Sequence, residues 1–399
     1  MATGFTKGKL ERNVDGLLKG FVENGSVAGV CAAVIRGGEV VYKNCFGFRD
    51  AEKGLPVDQK TIFRIYSCSK VFTSVALMTL YERGLFKLYD EVGDYIPSFK
   101  NKMVAETDQQ GRTRLVPARR GVRIRDLFTM TSGIQYGSEG GPAQLEMLRL
   151  NLRAVEDAKA GNPWNTERMI DEVAKLPLAF HPGDHWMYGF SIDVLGRLVE
   201  IFSGKTLAEY IKETILDPLG MEDTAFYVPE AKRDRFAVMY VEDENGKLNP
   251  DHSDFYDDHY FTPPAFESGG GGMISTLDDL AKFTAMLANN DSFEGRRIIG
   301  RKTVELMRRN HLNEQQLADD SWEQQRGYGY GLGVRVMMDI AEADINGSEG
   351  EWGWDGFPDN WLCMDPSEDL AMVYLVNRVK GMHYKFIPKF MAAVYGALE

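Results

Sequence analysis

A pair of adjacent glycines constrains the first stretch of the chain most. Val27 to Ile35 and Glu39 to Phe48 are two β-rich runs separated only by Arg36-Gly37-Gly38. Gly-Gly supplies the positive φ angles of a tight hairpin turn, so the two runs are expected to pair antiparallel. Ahead of them, Leu10, Val14, Leu17, Leu18 and Phe21 recur at helical spacing. The β texture returns near the other end, in Gly329 to Met337, Glu351 to Trp354, Asn360 to Met364 and Leu370 to Asn377. Asp365-Pro366-Ser367-Glu368-Asp369 reads as the turn between the last two runs. A closing helix places Phe386, Ile387, Phe390, Met391, Val394 and Leu398 on one side. Strands joined by hairpins rather than by crossover helices predict an antiparallel sheet.

The middle of the chain has helical periodicity. Val71, Val75 and Leu80 follow Lys70, with Gly84 as the stop. Ile192, Leu195, Leu198, Val199 and Phe202 form a second stripe closed by Gly204. Thr206 and Glu209 make a capping box for a helix that ends at Asp217-Pro218. Residues 97–142 read as loop-rich around a short helical piece, and residues 224–264 as irregular and acidic. After Gly269-Gly270-Gly271-Gly272 a further helix is expected, capped by Ser275 with Asp278 three residues on. The expected fold class is α/β (α+β), an antiparallel β-sheet flanked by N- and C-terminal helices. Residues 1–75 and 265–399 would form the sheet domain and residues 76–264 an inserted, mostly helical domain, with the active site between them.

Charge and cysteine usage exclude several classes. The 399 residues carry 46 Lys and Arg against 59 Asp and Glu, a net charge of −13. Nucleic acid and anionic membrane surfaces recruit clusters of basic residues, so neither is an expected partner. The nearest thing to a basic patch is Arg112 to Arg125. Gly25 to Ile35 and Val71 to Tyr81 are uncharged over 11 residues each, against the ~20 that a spanning helix needs. The stretch MATGFTKGKLERNVDGLLKG lacks the apolar core of a signal peptide, so a cytoplasmic location is expected. Cys31, Cys45, Cys68 and Cys363 include no CxxC pair and read as free core side chains. No cofactor is expected, because no Walker or dinucleotide glycine pattern is present. Asp251-His252-Ser253-Asp254 and Asp257-Asp258-His259 offer metal-ligand types, but a solvated acidic loop is the simpler reading, and no metal site is assigned. The absence of G-x-S-x-G leaves an α/β-hydrolase nucleophile elbow unsupported.

Three clusters carry chemistry. In Ser67-Cys68-Ser69-Lys70, residues i and i+3 share a helix face, which sets an amine beside a hydroxyl at a helix start. Burial disfavours an ammonium, so such a lysine can serve as a base. In Pro182-Gly183-Asp184-His185-Trp186-Met187-Tyr188-Gly189-Phe190, a tyrosine sits in a glycine-bounded loop just before a helix. A phenol near a cation can relay a proton, while a tyrosine at the edge of the core is the plainer alternative. His181 and His185 flank that loop and read as structural hydrogen-bond formers. In Glu351-Trp352-Gly353-Trp354-Asp355-Gly356-Phe357, glycines alternate with tryptophans, a mark of close approach by a ligand or of aromatic packing at a sheet edge.

In order and spacing these clusters resemble the serine β-lactamase and penicillin-binding-protein superfamily, on the class C side that includes the family VIII carboxylesterases. Supporting stretches are Phe63 to Tyr66, Ile124 to Gly133, Tyr188 to Gly204 and Ser268 to Thr276. The resemblance runs from about residue 10 to the C-terminus. It implies Ser67 as nucleophile, Lys70 as general base and Tyr188 as general acid/base. It also implies the backbone N–H groups of Ser67 and Phe357 as the oxyanion hole, and water or another alcohol or amine as acyl acceptor. Two departures bear on substrate. Phe190 stands where class C enzymes carry the Asn of Tyr-x-Asn, and Trp354-Asp355-Gly356 stands where they carry Lys-Thr-Gly. The cation that would meet a substrate carboxylate is missing and Asp355 adds repulsion, unless it meets a cationic substrate. Phe190, Trp352, Trp354 and Phe357, with Asp355 and Gly356, are the candidate substrate-binding residues. The expectation is a serine hydrolase for small or apolar esters. The alternatives are a D-amino-acid amidase or peptidase, an acyltransferase, a weak β-lactamase, or a non-catalytic binding protein on the same fold.

Overall fold

The computed structural model describes residues 4–6, 8–253, 258–288, 295–320, 322–357, 359–379 and 383–399. Helix α1 (Lys9–Glu23) leads into strands β1 (Gly29–Arg36), β2 (Glu39–Asp50) and β3 (Leu55–Pro56). The central helix α2 (Ser69–Glu82) follows, then the long helical segment that includes α3 (Ser191–Ser203) and α4 (Leu277–Ala288). The chain closes with strands β4 (Tyr328–Tyr330), β5 (Arg335–Met337), β6 (Trp352–Gly356), β7 (Asn360–Asp365) and β8 (Leu370–Val376), and with helix α5 (His383–Tyr395). These eight strands form one antiparallel sheet in the order β4-β5-β6-β7-β8-β1-β2-β3. The early hairpin thus docks on the last strand, with Val30 opposite Val376 and Arg36 opposite Leu370.

The sheet is covered on both faces, which explains why β1 is apolar throughout rather than alternating. Val30, Ala32 and Val34 face α1 and α5, together with Val14, Leu18, Phe390 and Val394. Cys31, Ala33 and Ile35 face the other way, into the large core shared with α2, α3 and α4. Helix α2 runs through that core. Every residue from Ser69 to Leu80 is buried, so the stripe of Val71, Val75 and Leu80 is one part of a helix enclosed on all sides.

Three local readings change. Residues 97–142 include a β-hairpin, Met103–Thr107 with Thr113–Pro117. Residues 224–264 include another, Met239–Glu242 with Leu248–Asp251, turned by Asp243, whose Oδ1 accepts from the amides of Asn245 and Lys247. Its polar strands hid it from a reading of apolar alternation. Met239–Glu242 also pairs in parallel with Arg378–Val379, so segment 76–264 carries strands as well as helices and reaches back to the C-terminal end. Finally, the cap of α4 is Thr276, whose Oγ1 accepts from the amide of Asp279 at 3.2 Å. Ser275 Oγ instead meets Thr224 Oγ1 at 2.7 Å.

Candidate active site

The turn that presents Ser67 is sharp. Tyr66, just before it, has φ of 40°, in the left-handed region that side chains rarely adopt. A single 3₁₀ turn, Tyr66–Cys68, then runs directly into α2. Lys70 follows in the first turn of that helix, and its Nζ lies 2.9 Å from Ser67 Oγ.

Lys70 is fully buried. Its Nζ also donates to the Gly270 carbonyl at 2.5 Å and meets Tyr136 Oη at 3.1 Å. Among the described residues no carboxylate touches it. Burial therefore dominates and lowers its pKa to about 8, while the more distant charges of Asp193 and Asp355 pull the other way. At neutral pH about a tenth of Lys70 is therefore free amine, far more than for an exposed lysine. Asp193 is buried beneath it, with Oδ1 accepting from Ser268 Oγ at 2.6 Å and from the Gly270 amide at 3.1 Å. The carboxylate thus anchors Gly270, the residue whose carbonyl holds Lys70, from its amide side. A Cβ on Gly270 would stand 2.4 Å from Asp193 Oδ2, so the packing requires glycine there.

Tyr188 arrives on a tethered loop. The Gly183 amide donates to Thr131 O, Met187 N to Met130 O, and Trp186 N to Asp319 Oδ2. Gly189 lies so close to the Ile134 carbonyl that an added Cβ would meet it at 2.2 Å. The phenol hydrogen-bonds Ser67 and accepts from Trp354 Nε1 at 3.2 Å. Burial raises its pKa far above the usual value, so it stays a phenol at neutral pH. Its ring lies 4.7 Å from Lys70 Nζ and stacks on Trp354 with centroids 5.5 Å apart.

A cavity opens over Ser67 in two lobes that share Ser67, Tyr136 and Phe357. One lobe, about 490 Å³, is walled by Tyr188, Trp322, Gln324, Trp354, Asp355 and Gly356. The other, about 400 Å³, is walled mainly by Phe190, Phe226, Tyr260, Pro264 and Phe266. Phe190 stacks on Phe266 at 5.9 Å. Phe357 stands at the rim, 57% exposed, edge-on to Tyr66.

The structure thus brings Ser67, Lys70, Tyr188, Phe190, Trp354, Asp355, Gly356 and Phe357 together. Trp352 is set apart: it is buried in the core and walls neither lobe. Asp355 also differs from the expectation of an uncompensated charge, because Arg335 Nη1 pairs with its Oδ1 at 2.9 Å. His181 bonds Glu106 and the Arg119 amide, and His185 bonds Asp319, so both are spent on structure away from Ser67. In the acidic stretch, Asp254 and Asp257 lie outside the described residues, and His252 pairs with Glu52. Among the described residues no three His, Cys, Asp or Glu side chains converge as metal ligands. None of the described helices is long and apolar enough to cross a membrane.

Sequence reasoning missed Tyr136, Asp193 and Trp322. Tyr136 stands three residues past the Ile124 to Gly133 stretch and reaches Lys70 because Gly133, at φ of 82°, turns the chain. Asp193 lies within the Tyr188 to Gly204 stretch, where only its apolar stripe was read.

Known proteins share this architecture. A Mycobacterium tuberculosis protein, Rv1367c, is 33% identical over 92% of this chain and 90% of its own length. Esterase EstB of Burkholderia gladioli is 27% identical over 92% of this chain and 91% of its own. The solved structure of EstCE1, a hydrolase with promiscuous acyltransferase activity, superposes with a TM-score of 0.81 at 25% identity, covering 97% of this chain and 99% of that one. Simvastatin synthase (LovD) of Aspergillus terreus shares the fold at a TM-score of 0.80 and 23% identity, over 97% and 98% of the two chains. Residues 14–394 match the beta-lactamase family, and the chain belongs to that family.

Proposed function

We propose that this protein is a serine hydrolase that cleaves esters with neutral, apolar acyl groups through an acyl-enzyme on Ser67. One observation carries the reading: a buried lysine amine 2.9 Å from a serine hydroxyl at the floor of an aromatic cavity. The free amine of Lys70 takes the Ser67 proton as Oγ adds to the ester carbonyl. The amides of Ser67 and Phe357 stabilise the resulting oxyanion. Tyr188, held as a phenol, hands its proton to the leaving alkoxide and is reprotonated from Lys70. Water then enters on the same side, and the relay runs in reverse to release the acid.

The cavity's charge supports neutral substrates. Among the described residues neither lobe is walled by a lysine or arginine, while Asp355 and Asp359 border one of them. A carboxylate-bearing β-lactam finds no cation there, and Arg335 is already taken by Asp355. The apolar lobe beside Phe190 and Phe266 suits the acyl chain, and the Trp322 lobe the alcohol. The breadth of that second lobe, about 490 Å³, also leaves room for an alcohol as acyl acceptor, and EstCE1 is a hydrolase with promiscuous acyltransferase activity.

The test is parallel hydrolysis of p-nitrophenyl butyrate and a chromogenic cephalosporin by the wild type and Ser67→Ala, with fluorophosphonate labelling. Fast ester turnover, slow cephalosporin turnover and a dead, unlabelled variant are expected. Labelling elsewhere, or full activity in Ser67→Ala, overturns the reading. Butyrate partitioning to added alcohol over water would identify acyl transfer.

A further inference from the structure

A second cavity of about 240 Å³ lies away from Ser67, walled by Tyr89, Arg120, Arg123, Arg125, Thr131 and His311 among others. It gathers three guanidiniums in a chain of net charge −13. Their partners are unequal. Arg120 is taken by Asp126, with contacts of 2.5 and 3.0 Å. Arg125 donates to Tyr89 Oη at 2.8 Å and to the His311 carbonyl at 3.1 Å, so its neighbours are neutral. Arg123 has only the face of Tyr89, at 5.2 Å, and no ion pair or side-chain hydrogen bond among the described residues.

Arg123 and Arg125 therefore flank one phenol ring, at 5.2 and 5.7 Å, and neither pairs with a carboxylate among the described residues. Two like charges held against one ring repel, and a shared anion removes that cost. Among the described residues the only carboxylate walling the cavity, Asp126, is engaged by Arg120 and by the Arg123 amide at 2.8 Å. Planar forks of N–H donors match the oxygens of phosphate. The volume is below that of sites for drug-sized ligands, so the occupant is small.

We propose that this cavity binds a small phosphate-type dianion, free or as the phosphate end of a compact metabolite, between Arg123 and Arg125. The site is independent of Ser67 chemistry. It adjoins the Tyr188 loop, because Gly183 also walls it and donates to the Thr131 carbonyl at 2.8 Å.

The probe is inorganic phosphate, exchanged for chloride at constant ionic strength so that general screening is matched. Thermal unfolding of the full chain is followed with the wild type, Arg123→Ala and Arg123→Lys. A saturable rise in Tm is expected for the wild type, with affinity about ten-fold weaker in Arg123→Ala, the loss of one charge-assisted contact. Arg123→Lys should fall between, since it keeps the charge and loses the fork. Arg123 makes no ion pair, so the variants should unfold near the wild-type Tm in chloride. A rise that does not saturate, or one unchanged in Arg123→Ala, overturns the proposal. So does phosphate acting as a competitive inhibitor of ester hydrolysis at the concentration that raises Tm, which would put it at Ser67. A phosphorylated metabolite that binds more tightly than phosphate, with the same Arg123 dependence, would identify the physiological source.

Discussion

Lys70 Nζ and the Gly270 carbonyl oxygen are 2.5 Å apart, and this contact fixes where the amine can point. With one N–H committed to Gly270, the nitrogen is held toward Ser67 Oγ and Tyr136 Oη. Gly270 is in turn anchored on its amide side by Asp193.

That chain makes Asp193 a positioning residue with two separable effects. Asp193→Asn removes a negative charge that favours the ammonium, so the acidic limb of the kcat/KM profile is expected to move to lower pH. It also weakens the anchor of Gly270, which should reduce kcat. Gly270→Ala should act by geometry alone, costing up to about 100-fold in kcat. A pH profile of Asp193→Asn that superposes on the wild type would reduce its role to packing.

Lys70 couples stability to pH. Burial sets its folded pKa near 8 against an ordinary value of 10.5. Between those values the unfolded chain binds more protons, so wild-type stability gains as pH rises through that window. Below it both states carry the ammonium and the burial penalty is present in full. Lys70→Met should therefore be inactive yet more stable than the wild type at neutral pH, with the difference shrinking by about 3 kcal/mol across the window. Urea unfolding at a series of pH values measures this, and a pH-independent difference would contradict it. Wild-type kcat/KM should rise with pH, reach half its plateau near 8 and level off above it, where the amine is free.

The two tyrosines at Lys70 should separate. Tyr188 touches Ser67, so Tyr188→Phe is expected to lose about 10²- to 10⁴-fold in kcat. The Tyr136 hydroxyl meets the amine instead, and Tyr136→Phe should lose about ten-fold, the worth of one hydrogen bond. Single-turnover acylation rates decide the order, and equal losses would place both phenols on the proton route.

Asp355 should matter to folding more than to substrate. Arg335 is almost wholly buried, and Asp355→Ala leaves its guanidinium without this carboxylate, a change that typically costs about 3–5 kcal/mol. Replacing both, as Arg335→Met with Asp355→Leu, should recover most of that loss. Denaturant midpoints check the pair; a single variant as stable as the wild type would show the charge is dispensable.

Fold and site were legible to different depths. The hairpin at Gly37-Gly38 and the β6–β8 strands were readable because turn chemistry and β-rich runs agree there. The Ser67–Lys70 pair was readable because a helix fixes i and i+3. Tyr136, Asp193 and Trp322 were not, because their roles come from where distant loops meet. Arg335 was hidden for the same reason: it lies opposite Gly353 across two strands, and only that register sets it against Asp355. Trp352 shows the converse limit, since a period of two placed it with Trp354 but could not say where the cavity ends.

The sheet order has a kinetic consequence. Ser67 and Lys70 come early in the chain, while Trp354 and Phe357 lie nearly three hundred residues later. β6 takes its place through β7 and β8, and β8 must first find β1 across most of the sequence. Such distant pairings form slowly during folding. Esterase activity should therefore return only in the last refolding phase, after helical circular dichroism has recovered.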